Sequence, residues 1–352
     1  MNNRMWSSSA LLSGVAVLLA ACDPASTNPT DSSPAPTAEQ SVASAAGTWT
    51  TKAPMPTSRW HPAAGVIKQD GRERLYAIGG FDPFFGVTSS VEAYDFATNS
   101  WSTKAPLPVP VMLANGAGTI NGKLYHSGGI VEDPSTGMGG PVNHLYEYNP
   151  TRNTWTRKAD MPKRVAQGVT GVINGKLYVL AGSCGDCAHG ASARLFRYDP
   201  VTNTWTGNLP PAPSAHVGGA GGVINGKFYV AGGRNWSGRV SNRLDVYDPV
   251  SNTWSTLAPM PTARSGAAAA VLQGKLFVIG ANNVEPGERQ GMNEAYNPAT
   301  NTWSIKAPLP GAGRGDLAAA KIIHDGQAHI LAVGGTDVEG SGEGNANQAY
   351  TP

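Results

Sequence analysis

The chain has 352 residues, of which 44 are Gly and 27 are Pro, and only 14% are charged. Its formal net charge of +2 is too small for the concentrated positive field of a nucleic-acid binder or of a surface drawn to anionic lipid. Beyond the N-terminus no stretch sustains apolar spacing at i, i+3, i+4 and i+7, so an all-β chain with many turns is expected.

The N-terminus reads as a targeting segment that stands apart from the fold. Arg4 supplies a positive n-region. Ala10 to Ala20 is an apolar run of roughly 11 residues, right for an h-region and too short to span a bilayer. It ends in Leu19-Ala20-Ala21-Cys22, which resembles the lipobox of bacterial lipoproteins. That resemblance implies a signal peptide over 1–21 and a diacylated Cys22, which would anchor the chain to a membrane on the extracytoplasmic side of the cell envelope. A plain cleaved signal with an unmodified Cys22 is the alternative. Residues 22–46 hold this cysteine and a stretch of Pro, Ser, Thr and Ala with almost nothing to bury, the composition of a disordered tether.

Residues 47–352 are repetitive. Tyr94 to Trp101 reads YDFATNSW, and the frame recurs as YNPTRNTW from Tyr148, YDPVTNTW from Tyr198, YDPVSNTW from Tyr247 and YNPATNTW from Tyr296. The period is about 50 residues. Ahead of each frame stands a short apolar strand ending in glycine: LYAIGG from Leu75, LYHSGG from Leu124, LYVLAG from Leu177, FYVAGG from Phe228, LFVIGA from Leu276 and ILAVGG from Ile330. A hairpin signal precedes every one, at Asp70-Gly71, Asn121-Gly122, Asn174-Gly175, Asn225-Gly226, Gln273-Gly274 and Asp325-Gly326. Such pairs suit a type I′ turn, whose two central residues need positive φ. Each repeat therefore reads as four strands, one propeller blade.

The diglycine, the Tyr and the Trp at this spacing resemble the kelch family. The resemblance covers 47–352 and implies a six-bladed β-propeller with four antiparallel strands per blade. Blades 3 and 5 depart from it with Ala181-Gly182 and Gly280-Ala281. The sixth repeat stops at Tyr350-Thr351-Pro352 without its Trp, while Trp49 stands alone ahead of the first. The strand around Trp49 is therefore expected to complete the last blade and close the ring, removing an open edge.

In kelch propellers the loops after the diglycine and the loops joining blades share one face around the central channel, which implies a binding face. The joining loops carry Arg59 and His61, Arg164, His216, Arg264 and Arg314. A ring of such groups at the channel mouth would hold carboxylate or phosphate; the competing reading is that they brace the loops by bonding carbonyls. Two tryptophans fall outside the repeat and the signal: Trp60 beside His61, and Trp236 between Arg234 and Arg239. They are candidates for stacking on a sugar or a peptide side chain, with Phe81, Phe84 and Phe85 nearby. The competing reading has these aromatics capping their own blades.

Cys184 and Cys187, with His189 close by, suit a local disulfide; no second cysteine pair offers four zinc ligands, so no metal is expected. Glu132 with Asp133, Asp316, and Asp337 with Glu339 are the carboxylates in or near face loops, where solvated acids are common. The expected function is a monomeric, lipid-anchored binding module for an envelope or extracellular protein or glycan, without cofactor and without nucleic acid. A sugar mutarotase or epimerase is the alternative.

Overall fold

The computed structural model describes residues 47–132, 139–185, 187, 190–284, 291–311, 313–336 and 344–352. Cys22 and the tether, together with Asp133, His189, Asp337 and Glu339, lie outside the described residues.

Six four-stranded antiparallel sheets form the blades of a propeller. Blade 1 consists of Ala63–Gln69, Arg72–Ile78, Val91–Asp95 and Ser100–Lys104, ordered from the axis outward. Blades 2 to 5 repeat this plan, beginning with Ala117–Ile120, Val169–Ile173, Ala220–Ile224 and Ala268–Leu272. Blade 6 uses Ala318–His324, Gln327–Val333 and Asn347–Thr351, and takes its outermost strand, Thr48–Thr51, from the other end of the chain. Trp49 pairs with Tyr350 in the same register that pairs Tyr94 with Trp101 in blade 1. The ring is closed between its two ends.

The turns follow from residue chemistry. Asn121, Asn174 and Asn225 have φ of 49°, 49° and 50°, and the glycines after them are also positive, as a type I′ hairpin requires. Ala281, which replaces glycine in blade 5, is buried and lies outside the positive-φ region that Gly233 (φ 86°) occupies. The innermost strands converge on the axis and are built from small residues. A Cβ at Gly171 would sit 2.8 Å from the Phe228 ring of the next blade, so only glycine lets the two sheets meet there.

Two repeated contacts lock blade to blade. The indole N–H of each repeat Trp donates to a carbonyl in the segment leaving the preceding blade: Trp101 to Ala53 at 2.8 Å, Trp155 to Ala105 at 2.9 Å, Trp205 to Ala159 at 2.8 Å. Trp254 to Pro210, Trp303 to Ala258 and Trp49 to Ala307 continue the series at 2.9, 2.8 and 2.8 Å. The Asn of the Tyr–Trp turn does a second job in blades 1, 2, 3 and 5. Asn153 Oδ1 accepts from its own Tyr148 hydroxyl at 2.7 Å and from the backbone N–H of Ala105 on the preceding connection at 2.9 Å. Inside this frame the repeat tyrosines are buried, and those of blades 2 to 6 pack on an aromatic of the preceding blade, as Tyr148 does on Tyr76 at 5.6 Å and Tyr350 on Phe277 at 5.6 Å.

Blade 2 holds an outlying titratable group. His126 is fully buried, with Nε2 lacking a hydrogen-bond partner, and burial pushes its pKa down to about 4. The native state therefore keeps it neutral.

Two outcomes are expected. Trp49→Ala should lower unfolding free energy by about 3 kcal/mol, the order seen for large aromatic truncations, and match Trp155→Ala in denaturant titration, because closure makes the terminal strand equivalent to an internal one. His126 contributes no penalty above the unfolded pKa near 6.5, and stability should fall by up to about 3 kcal/mol as pH drops from there to 4. Urea midpoints across that window should lose much of this slope in His126→Leu.

Candidate functional site

The connection entering each blade forms a one-residue bridge to the strand end after the glycines: Trp60 with Phe81, Met112 with Ile130, Ala166 with Ser183, Val217 with Arg234, Gly315 with Thr336; Ser265 pairs with Asn283 in the same way. Each bridging residue has a neighbour on either side, and the two neighbours have opposite fates.

The residue before the bridge turns into the blade. Arg59 is wholly buried: its guanidinium donates to the carbonyls of Ser90 at 2.9 Å and Gly79 at 3.2 Å and forms an ion pair with Glu92. Burial lowers its pKa and the charge of Glu92 acts against that shift. Arg264 pairs with Glu294 at 3.0 Å and bonds the Val278 carbonyl. His216 bonds Asp245 at 3.0 Å and the Gly232 carbonyl at 2.7 Å. Burial raises the pKa of Asp245, but hydrogen bonds from His216 and Arg243 outweigh it and hold the carboxyl below its usual range. Arg314 bonds the Ala332 carbonyl at 2.9 Å.

These four side chains are therefore braces inside the blades and are withdrawn from any ligand. Arg164 is exposed and stands one residue too early: Val165 occupies the bracing position, against Phe196 where blade 1 has Glu92. In blade 2 the pair is Val111 and Tyr146. Blades 2 and 3 thus fill with apolar bulk what the others fill with charge.

The residue after the bridge turns to the axis. His61, Leu113, Gln167 and Asp316 all have φ between 52° and 54°, and Gly218 and Gly266 lie at 66° and 68°. Their peptides bond in one sense around the mouth: Gln167 N–H to Leu113 O, Gly218 to Gln167, Gly266 to Gly218, Asp316 to Gly266 and His61 to Asp316, at 2.7 to 2.9 Å. The sixth link, from Leu113 N–H to His61 O, is not made. This collar surrounds a cavity of about 270 Å³, lined also by Arg234 and Asn282. His61 Nδ1 lies 3.1 Å from Asp316 Oδ1, and Asn282 donates to the other carboxylate oxygen. Arg234 Nε is enclosed and has no bond.

Of the sequence candidates, His61, Arg234 and Asp316 meet here. Gln167 and Asn282 were missed; aligning the joining loops on the diglycine strands would have found Gln167 beside His61. Trp60 is half-buried and packs at a tilt against Phe81, ring centroids 5.7 Å apart. Trp236, 47% exposed, stands apart, over an open cleft of about 370 Å³ lined by Lys163, Cys187, Arg194 and Pro211. Cys184 and Cys187 are disulfide-bonded, with Cα atoms 5.6 Å apart. Among the described residues no cluster of His, Cys, Asp and Glu is arranged to hold a metal.

The sequence of the KLHDC2/KLHL20/DRC7 Kelch-repeats domain matches residues 120–335, and the Kelch motif matches 71–108. This chain belongs to the Kelch-repeat family. Kelch propellers are typically protein-interaction modules. The chain is 30% identical to Beta-scruin of Limulus polyphemus over 138 residues, 38% of this chain and 14% of that one. It is 27% identical to Kelch-like protein terF of Aspergillus terreus over 193 residues, 53% of this chain and 41% of that protein. To human Kelch repeat and BTB domain-containing protein 12 the figures are 28% over 186 residues, 49% and 29%. The matches thus span under half the length of these relatives. The solved structure of YjhT superposes with a TM-score of 0.67 over 86% of this chain and 96% of that one at 19% identity, a likeness of fold.

The bracing pairs give a direct test. Arg59→Val strands Glu92 as a buried, unpaired charge and should cost about 3–5 kcal/mol. Combining it with Glu92→Phe, the solution blade 3 uses, should recover most of that loss in thermal denaturation.

Proposed function

We propose that this kelch propeller is a binding module that recognises a protein or a glycan with the face carrying its joining and diglycine loops. It would be held at the extracytoplasmic surface of the bacterial envelope by an acylated Cys22 and the tether that follows. The observation that carries the reading is the collar cavity. It gathers a cation at Arg234, an amide at Gln167 and a histidine–carboxylate couple at His61 and Asp316 in one concave polar site, which is where a protruding polar group of a ligand is best held.

Arg234→Ala should reduce retention on glycan and envelope-protein arrays by about tenfold, the worth of one good charged contact, with an unchanged melting temperature. Equal retention on every array feature would refute the collar as the site. For the anchor, metabolic labelling with palmitate should mark the wild-type chain and leave Cys22→Ala unlabelled.

One observation favours a mutarotase: the His61–Asp316 couple, 3.1 Å apart beside Arg234, has the make-up of an acid–base pair for ring opening of an acidic sugar. Exchange spectroscopy on such a sugar would then show catalysed interconversion of anomers, abolished in His61→Gln.

A further inference from the structure

Beside the collar, blade 1 raises a hairpin in which Phe81 pairs with Val87 and Asp82 with Gly86. Its loop is Pro83-Phe84-Phe85, and Gly86 takes φ of 83° to turn the chain back. Asp82 is almost fully buried, and its Oδ1 accepts the backbone N–H groups of Phe84 at 2.8 Å and Phe85 at 3.2 Å. The base is stitched down: Trp60 and Phe81 exchange both backbone hydrogen bonds at 2.8 Å. The tip is therefore held by its backbone alone. Its phenyl rings touch little, Phe84 being 82% and Phe85 89% exposed. Two adjacent phenyl groups on a braced turn thus have no packing role in the blade.

We propose that the Phe84–Phe85 tip is a docking knob for a partner protein that offers an apolar pocket bordered by basic side chains. This rests on the reading of the loop face as the binding face. A fixed backbone lowers the ordering cost of burying two aromatic anchors. The charge beside the knob is acidic: a Cβ placed on Gly86 would lie 3.9 Å from Glu132 Oε2, and Glu132 is exposed. That selects a basic rim and disfavours an anionic bilayer. The chain also enters the ring on the opposite face, since Thr48 pairs with Thr351 at the end of its strand away from the glycines.

The test is to pan a random peptide library on the purified protein, on Phe84→Ser/Phe85→Ser and on Arg234→Ala. Wild type should enrich peptides with apolar cores flanked by Lys or Arg, and the double variant should retain them about tenfold less, as expected for a hot spot. Its melting temperature should not move, because the rings support nothing. Asp82→Ala keeps both rings but frees the tip, and should give an intermediate loss. Undiminished retention on the double variant, or no enrichment on wild type, overturns the knob. Loss in Arg234→Ala alone overturns it while leaving the loop face as the binding face; loss in neither removes both. Flotation with phosphatidylcholine vesicles that depends on the two Phe would make the knob a lipid contact, and a dimer abolished by the double variant would make it a self-contact; either result overturns the proposal.

Discussion

Every blade of this molecule is held to the one before it by an indole N–H bonded to a peptide carbonyl, and the ring exists because this contact occurs six times without a gap. One such bond is worth only about 1 kcal/mol net. Its weight comes from position: it fixes the outer edge of one sheet to the path by which the chain leaves its neighbour. A linear repeat array is stable roughly as a sum of neighbouring contacts. Here the last contact, Trp49 to Ala307, joins residues far apart in sequence and turns a sum of local terms into a closed cycle. Blade 6 thereby ends, like the other five, in one short outer strand, Thr48–Thr51, and the longer edge of Asn347–Thr351 is covered.

That architecture was legible in the residues because each of its parts is a local necessity repeated in register. The Asn-Gly turns and the Tyr–Trp frame each impose a conformation that does not depend on distant sequence, and the displaced Trp49 is recognisable because it is the one piece missing from the last copy of that frame. The site was less legible because its logic is not local. Arg59 looked like a surface cation, and only folding brings Glu92 beneath it. Arg164 looked equivalent to Arg59, yet the bridge between Ala166 and Ser183 sets the frame one residue later. In a joining loop a shift by one position exchanges the interior of a blade for its surface.

The braces also explain how the loops can vary over a constant frame. Blades 1 and 5 place a buried Arg–Glu ion pair, and blade 4 a hydrogen bond between His216 and Asp245, where blades 2 and 3 use Val with an aromatic, so the position demands filled volume rather than a given chemistry. In blade 1 the same network reaches outward: Asp82, close enough to act on the charge of Arg59, holds the turn that displays Phe84 and Phe85. Core and exposed loop are connected there by two side chains.

The collar of peptides around the channel has an electrostatic corollary. Its five links lie along the circumference and run in the same sense, so most of their dipole vectors cancel and only the break between Leu113 and His61 leaves a net component across the mouth. A helix terminus adds its dipoles along one axis toward a ligand; this arc does not. The backbone thus contributes little charge preference at the mouth, and what preference it has rests with the few side chains standing there, His61, Arg234 and Asp316 among them.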